Sequence, residues 1–374
     1  MVATNLETEL HGGVSRFGMY GTVNIAPDTF PSEESVSASG YHYKRISFPV
    51  RSGEGNSVYV QMMGGYSEKD PKVFVRNKDG EFFNIKWDLR NNENMLENVE
   101  PQSFVRVSLE KDANGELIEK KFVSELDAIN YMTEHLENGM DVYLGGNVEY
   151  RHYNGQVTRS FNVTRVLLNE NNHEHVTRMR QTYLISENSV PRDWEDRLME
   201  KGEVKINAFV PQYVSKEDGK EIKKTIAMPQ TFTVKGEGDD LKKALFTVRK
   251  MIPAEGTVKE IPLNMDIIDG FRETTGEIEM TEEVRELIEA GLMTEDEVKT
   301  TATISSERVH DTVFYRFMFS KDQNGQLAIN SKDRYAPSAL LFLDNDDENV
   351  STGSDAFGLD EEDTKEDDLD AMFM

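Results

Sequence analysis

DVYLGGNVEYRHYNGQVTRSFNVTRVLL, residues 141–168, decides the fold class. Two runs rich in β-branched and aromatic residues flank Asn154-Gly155, the dipeptide that supplies the positive φ angles of a two-residue type I′ hairpin turn. With Tyr153 set opposite Gln156, Val148 falls opposite Phe161 and Gly146 opposite Val163, and Val142, Leu144 and Tyr150 share that side. This face is core. The other face carries Tyr143, Asn147, Glu149, Arg151, Tyr153, Thr158, Ser160, Asn162 and Thr164, which suits water. An antiparallel sheet with one solvated face follows.

Towards the N-terminus, RFGMYGTVNIA (16–26), YKRISFPV (43–50) and VYVQMM (58–63) have strand composition, with shorter candidates at 73–76, 82–87 and 104–109. The period then changes. Ser124 caps a helix, with Asp127 three residues on, Leu126, Ile129, Met132 or Thr133, and Leu136 at helical spacing, and Asn138-Gly139 as the stop. The decisive hairpin comes straight after it.

On the C-terminal side, residues 170–200 break the strand pattern: NENNHEH is polar, and Ser189-Val190-Pro191 before RDWEDRLMEK reads as a connector with one short helix. EVKINAFVPQYV (203–214) then turns Val204, Ile206, Ala208 and Val210 inward, and IKKTIAMPQTFTV (222–234) answers it across Asp218-Gly219. LKKALFTVRKM (241–251) fits both the helix and the strand period. VKEIPLNMDIIDGF (258–271) alternates through Ile261, Leu263, Met265 and Ile267. A helix follows, capped by Thr281, with Glu282 and Glu283 at its positive end, Val284, Leu287 and Ile288 as its stripe, and Gly291 as its stop. VKTTATIS (298–305) and TVFYRFMFS (312–320) close the unit.

Strands, one helix and a closing pair of strands therefore occur twice, without a residue-level repeat. That order is expected of an OB-fold, a five-stranded Greek-key barrel whose helix lies between its third and fourth strands. The expectation is an all-β chain with a few helices: OB-like domains at 1–170 and 201–343, a connector at 171–200 and a disordered acidic tail at 344–374.

Composition narrows the chemistry. A chain of 374 residues with 37% hydrophobic residues can build two or three ordinary cores. No run approaches the roughly 18 consecutive apolar residues of a membrane span, and MVATNLETELHGG lacks the order of a secretion signal, so a cytoplasmic, membrane-free protein is expected. Zero cysteines exclude disulfides, thiolate nucleophiles and cysteine zinc sites. The net charge is −27; Asp344 onward holds 13 acidic residues and one lysine, leaving −15 for the rest. Binding duplex DNA by bulk charge is disfavoured, and a nucleic acid would need a local basic groove.

No phosphate-loop, HExxH, GxSxG or dinucleotide-binding glycine motif is present, so neither a catalytic site nor a cofactor is expected. The close pair His173 and His175 sits in a polar stretch without an evident third ligand, which makes a solvated loop the simpler reading than a metal site. The better constellation is aromatic residues interleaved with cations on strands, the ingredients for stacking unpaired bases and tracking phosphates. In the first unit these are Tyr20, Tyr43, Lys44, Arg45, Phe48, Arg51, Tyr59, Trp87, Arg151 and Tyr153. In the second they are Lys205, Phe209, Tyr213, Lys223, Lys224, Phe271, Arg272, Tyr315 and Arg316. Taken singly, each aromatic has core packing as its simpler fate.

The chain ends DEEDTKEDDLDAMFM (360–374), a charge run that cannot fold alone but can act as a peptide ligand through Asp367, Asp368, Leu369, Asp370, Met372 and Phe373. A body of OB type with such a tip resembles the single-stranded DNA-binding proteins of bacteria and, more closely, of their phages. The DDLDAMFM end is similar to the acidic-aromatic tip of that group, and residues 142–168 look like its closing hairpin. The chain departs from the bacterial pattern in carrying two such units, in ending Phe373-Met374 rather than Pro-Phe, and in lacking a long Gly/Pro/Gln-rich linker. The resemblance implies a non-catalytic coat for single strands in replication, recombination and repair. It also implies recruitment of replication or recombination proteins by the tail, and leaves room for a homo-oligomer. Competing classes are a phage structural or assembly protein with a solubilising tail and, last, a nuclease using clustered carboxylates.

Overall fold

Where apolar and polar residues alternate, a strand has one face to bury, and in this chain such strands close on each other in rings. The computed structural model describes residues 6–53, 55–153, 156–217, 220–271, 282–289, 308–321, 325–340, 342–343 and 350–351. Of the tail expected to be disordered from 344, Val350–Ser351 are described and form a short strand pair with Phe342–Leu343; the rest of it lies outside the described residues, as does the Asn154-Gly155 turn. What is described is mostly β-sheet with few helices.

The N-terminal half begins with β1 (Ser15–Val23), the short β2 (Ser35–Val36), β3 (Tyr41–Arg51) and β4 (Ser57–Ser67). An insertion follows: β5 (Lys72–Arg76), β6 (Phe82–Lys86), α1 (Glu93–Leu96), β7 (Val105–Lys111) and β8 (Leu117–Phe122). Then come α2 (Glu125–His135), β9 (Asp141–Tyr153) and β10 (Gln156–Leu168). β1 pairs with β3, β3 with β4, β4 in parallel with β10 at Gln61 and Asn162, β10 with β9, and β9 back with β1. The circuit is closed. Inside it lie Phe17, Ile46, Phe48, Val60, Leu144 and Phe161. The Ser124 hydroxyl caps α2 by accepting from the Leu126 amide.

The hairpin has the expected register, Tyr153 opposite Gln156, Val148 opposite Phe161 and Gly146 opposite Val163. A bulge between Val163 and Arg165 then shifts the partners, so that Leu144 meets Val166. Tyr143 departs from the expected wet face: it is buried, because the Tyr20 ring packs on it at 5.1 Å. Gly146 is required by close approach, since a Cβ there would stand 2.0 Å from the Asn162 carbonyl oxygen and 2.7 Å from the Phe17 ring. Gly146→Ala should therefore lower stability by about 3 kcal/mol, the upper range for overpacking, read as a lower urea midpoint at unchanged slope.

The second ring uses β11 (Val176–Ile185), β12 (Glu203–Glu217), β13 (Lys220–Lys235), β14 (Val258–Phe271) and β15 (Arg308–Phe317), with α3 (Trp194–Lys201) after its first strand. α4 (Leu241–Met251) lies between its third and fourth strands and α5 (Glu282–Glu289) before its last. β11 meets β12, β12 meets β13, β13 runs parallel with β15, β15 meets β14, and β14 returns to β11. The segment read as a connector, 171–200, contains this ring's first strand, a correction, and 241–251, open between helix and strand in the sequence, is helical, burying Ala244, Thr247, Val248 and Met251 on one stripe. The helix expected from 281 forms over 282–289, while Thr281, Gly291 and the strand expected at 298–305 lie outside the described residues.

The rings are fused rather than strung on a linker. β1 pairs with β11 from Ser15–Gln181 to Tyr20–Val176, so the sheet runs from one ring into the other, and a single apolar cluster extends from Phe17 to Ile267. Asn56 clamps the junction: its amide donates to the Ile267 carbonyl at 3.1 Å and its carbonyl accepts from the Asp269 amide at 2.7 Å. Thr177 also donates to the Ser52 hydroxyl.

Candidate nucleic-acid interface

On β3 the even positions Ile46, Phe48 and Val50 point inward, which leaves Arg45, Ser47 and Pro49 outside; on β4 the outward residues are Tyr59, Gln61 and Met63. The loop after β1 stands over these two strands. Asn24, Ala26, Asp28, Thr29, Arg45, Ser47, Pro49 and Tyr59 line a cleft of roughly 480 Å³ there. Tyr59 keeps 43% of its surface exposed, directly opposite Pro49. Arg45 is fixed by a relay along the outer face. It donates to Gln61 at 2.8 Å, Gln61 donates to Asn162 at 3.0 Å, Asn162 donates to Glu149 at 3.0 Å, and Arg151 donates to the same carboxylate at 3.2 Å. A ring open to stacking thus shares a cleft with a guanidinium held in place, the pair of features that unpaired nucleotides need.

A second basic feature lies at the seam between the rings. In cross-strand register, Asn147, Arg16, Arg180, Asn264 and Arg316 form one row over β9, β1, β11, β14 and β15. Directly opposed residues share a face, so three arginines line up on it. Beside the row, Arg178 lies 3.9 Å over the Tyr315 ring and pairs with Asp266 at 2.8 Å, and Arg316 approaches the same ring at 5.3 Å. Neither Arg16 nor Arg316 has a carboxylate within ion-pair reach among the described residues. Arg16, Arg178 and Arg180 were not expected from sequence, yet the signal is legible in VTRMRQ, where arginine and core residues alternate.

The remaining expected residues scatter. Phe48 is 1% exposed and belongs to the first core; Tyr20 is buried against Tyr143 and His173, which pushes its hydroxyl pKa up. Trp87 is engaged internally, with the Tyr66 ring at 4.4 Å and the Arg90 guanidinium at 4.0 Å, the latter gripped by both oxygens of Asp127. Tyr43 stacks on Tyr41 at 6.3 Å, Lys44 is half-buried, and Arg51 is exposed at the end of β3. Lys205, Tyr213, Lys223 and Lys224 are exposed on the β12–β13 ribbon, with Lys223 paired to Glu221 at 2.8 Å. The side chains of Tyr153 and Phe271, all of Arg272, and tail residues Asp367, Asp368, Leu369, Asp370, Met372 and Phe373 lie outside the described residues. His175 hydrogen-bonds to Asp141 at 3.0 Å, which gives it a structural partner.

Phe209 is the instructive departure. It faces away from the second ring's interior, as a stacking ring would, yet it is 2% exposed. Its cover comes from both ends of the described chain: Leu10, Tyr335, Ala339 and Leu340 join Leu184, Ala227 and Val258 around it. β18 (Lys332–Tyr335), which follows β16 (Phe319–Lys321) and β17 (Leu327–Ile329), pairs with β14, and Glu7 bridges to Tyr335. Arg334 grips both Glu7 oxygens at 3.0 Å and Glu260 at 2.9 Å. The hydrogen bond from Arg334 is the main cause that holds the Glu7 carboxyl below its usual pKa. The second ring's outer face is therefore plugged where the first ring's is open.

No protein-family model and no curated protein matches the chain. Among solved structures it is similar to the wild-type single-stranded DNA binding protein from Thermus aquaticus, at TM-score 0.31 and 9% identity over 72% of this chain and 98% of that one. A deletion mutant of the same Thermus aquaticus protein aligns at TM-score 0.30 and 8% identity, over 70% and 89%. Likeness at this level decides neither the fold nor the chemistry of this chain, which rest on the pairings and side chains above.

Proposed function

We propose that the chain binds single-stranded DNA without strong sequence preference, as a non-catalytic protein of replication, recombination and repair in a bacterial or phage-infected cytoplasm. The supporting observation is the Tyr59–Arg45 cleft on the second and third strands of a closed ring whose helix precedes its fourth. That is the strand order of an OB-fold, and the second-to-third-strand face is where OB-folds take oligonucleotides. We read both rings, 15–168 and 176–317, as OB domains. The seam arginines extend the path for phosphates in a chain that otherwise repels them. The acidic segment 360–374 is the recruiting hook for partner proteins and competes with the strand for the cations.

The test is retention of labelled oligo-dT in a gel, with duplex as competitor, by the full chain and by a chain lacking 360–374. Retention of single strands alone is expected, preserved or tightened by the deletion, which should also abolish capture of replication proteins. Four phosphate contacts would give a salt slope of about −3. Nothing retained at low salt by either protein would return the chain to the structural class, and magnesium-dependent loss of the oligonucleotide would make it a nuclease.

A further inference from the structure

The inserted hairpin of β5 and β6 has two faces of opposite chemistry. Val73, Val75, Phe83 and Ile85 turn into a small apolar cluster of their own with Val99, Val123, Leu96 and Phe104. The positions opposed across the other face are Lys72 with Lys86, Phe74 with Asn84, and Arg76 with Phe82. Phe74 is 68% and Phe82 72% exposed, although burying a phenyl ring typically stabilises by about 1.5–3 kcal/mol. No carboxylate occupies any of these six positions. The nearest ion pair on it is Lys72 with Asp70, and the cations already lie along the rings, Lys72 5.4 Å from the Phe74 centroid and Arg76 4.4 Å from that of Phe82. Three cations and two bare rings on one small face stand out in a protein of net charge −27.

We propose that this face is a second contact site for unpaired nucleic acid, continuing the path of a strand held in the Tyr59 cleft. The inference rests on the single-strand reading above. Charge complementarity selects a polyanion, and exposed rings interleaved with cations select one whose bases are free to stack. Phe74 and Phe82 are diagonal neighbours, roughly 7–8 Å apart on the ribbon, so successive bases of one strand can use both. Continuity of the backbone favours the same strand: β4, which carries Tyr59, runs on through residues 68–71 into β5. Eight residues from Tyr59 to Ser67 span about 26 Å, so only a strand longer than the cleft reaches the hairpin.

The experiment compares binding of an oligo-dT of about 5 nucleotides, short enough for one OB-type ring alone at 4–16 nucleotides per ring, with one of about 30, which exceeds that span. The proteins are the wild type, Phe74→Ala/Phe82→Ala, and Phe74→Trp/Phe82→Trp. The alanine pair should weaken the long oligonucleotide at least about tenfold and leave the short one within about twofold, and the tryptophan pair should keep wild-type affinity for both. Wild-type protein that binds neither oligonucleotide overturns the parent reading. Wild-type binding with an alanine pair that loses nothing, or loses equally for both lengths, overturns the hairpin site alone. If the alanine pair tightens binding only while residues 360–374 are present, the occupant is the chain's own tail. If it abolishes self-association in sedimentation, the occupant is a second copy. Either result overturns the proposal.

Discussion

Tyr59→Ala should weaken oligo-dT binding by about 5- to 150-fold, the range that corresponds to loss of one stacked base at roughly 1–3 kcal/mol. Three features make the expectation specific. The ring is 43% exposed on the outer face of β4, so its removal leaves no core cavity. It lines the cleft with Arg45, whose guanidinium is held by Gln61. The inward neighbours Val58 and Val60 are fully buried and untouched by the change. The melting temperature should thus stay near that of the wild type while the titration midpoint moves. Tyr59→Phe should retain most of the affinity, because the stacking surface survives loss of the hydroxyl. Unchanged affinity in the alanine variant would remove the cleft from the binding path.

The second large effect concerns stability. Tyr335→Ala empties the centre of the plug over the second ring, where the side chain is fully buried with Leu10, Phe209 and Leu340, and should cost about 3–5 kcal/mol, as other large aromatic truncations do. Loss of the plug also bares Phe209, which should appear as new binding of a hydrophobic dye at temperatures below the main transition. Acid should loosen the same clasp. Glu7 has a folded-state pKa below its unfolded one, so its contribution is present above the ordinary carboxylate range and is lost as pH falls through the depressed value. Glu7→Gln should remove that part of the acid sensitivity. A Tyr335→Ala protein as stable as the wild type would show that the chain ends merely lie on the ring.

Much of this architecture was legible in order. Asn154-Gly155 and the alternation on both sides of it specify register, and that register is found from Tyr153 opposite Gln156 to Val163 opposite Gly146. Phe48 stands among the expected stacking residues although it shares the parity of Ile46 and Val50, and it is buried with them. β11 was not legible, for a physical reason: Thr182, Tyr183, Leu184 and Ile185 are all buried, so both faces are covered and the period-two signal disappears. For α4, Thr247 interrupts an otherwise apolar stripe, and the period alone could not separate helix from strand. At the site, sequence supplied Tyr59, Arg45, Tyr315 and Arg316 but also Phe209. Nothing near Phe209 announces its burial, because its cover comes from residues some 200 positions before it and more than 120 after it.

That cover has a consequence for how the molecule is made. Every strand of the first ring lies within residues 15–168, so that circuit can shut while later residues are still being translated. Leu10 is made before either ring, but the clasp beside it needs Arg334, separated from Glu7 by 327 positions. At about 5–20 residues per second, Glu7 waits roughly 15–65 s for that partner. The nascent chain therefore passes through a stage with one ring finished and the outer face of the other uncovered. Chaperones have that interval in which to act.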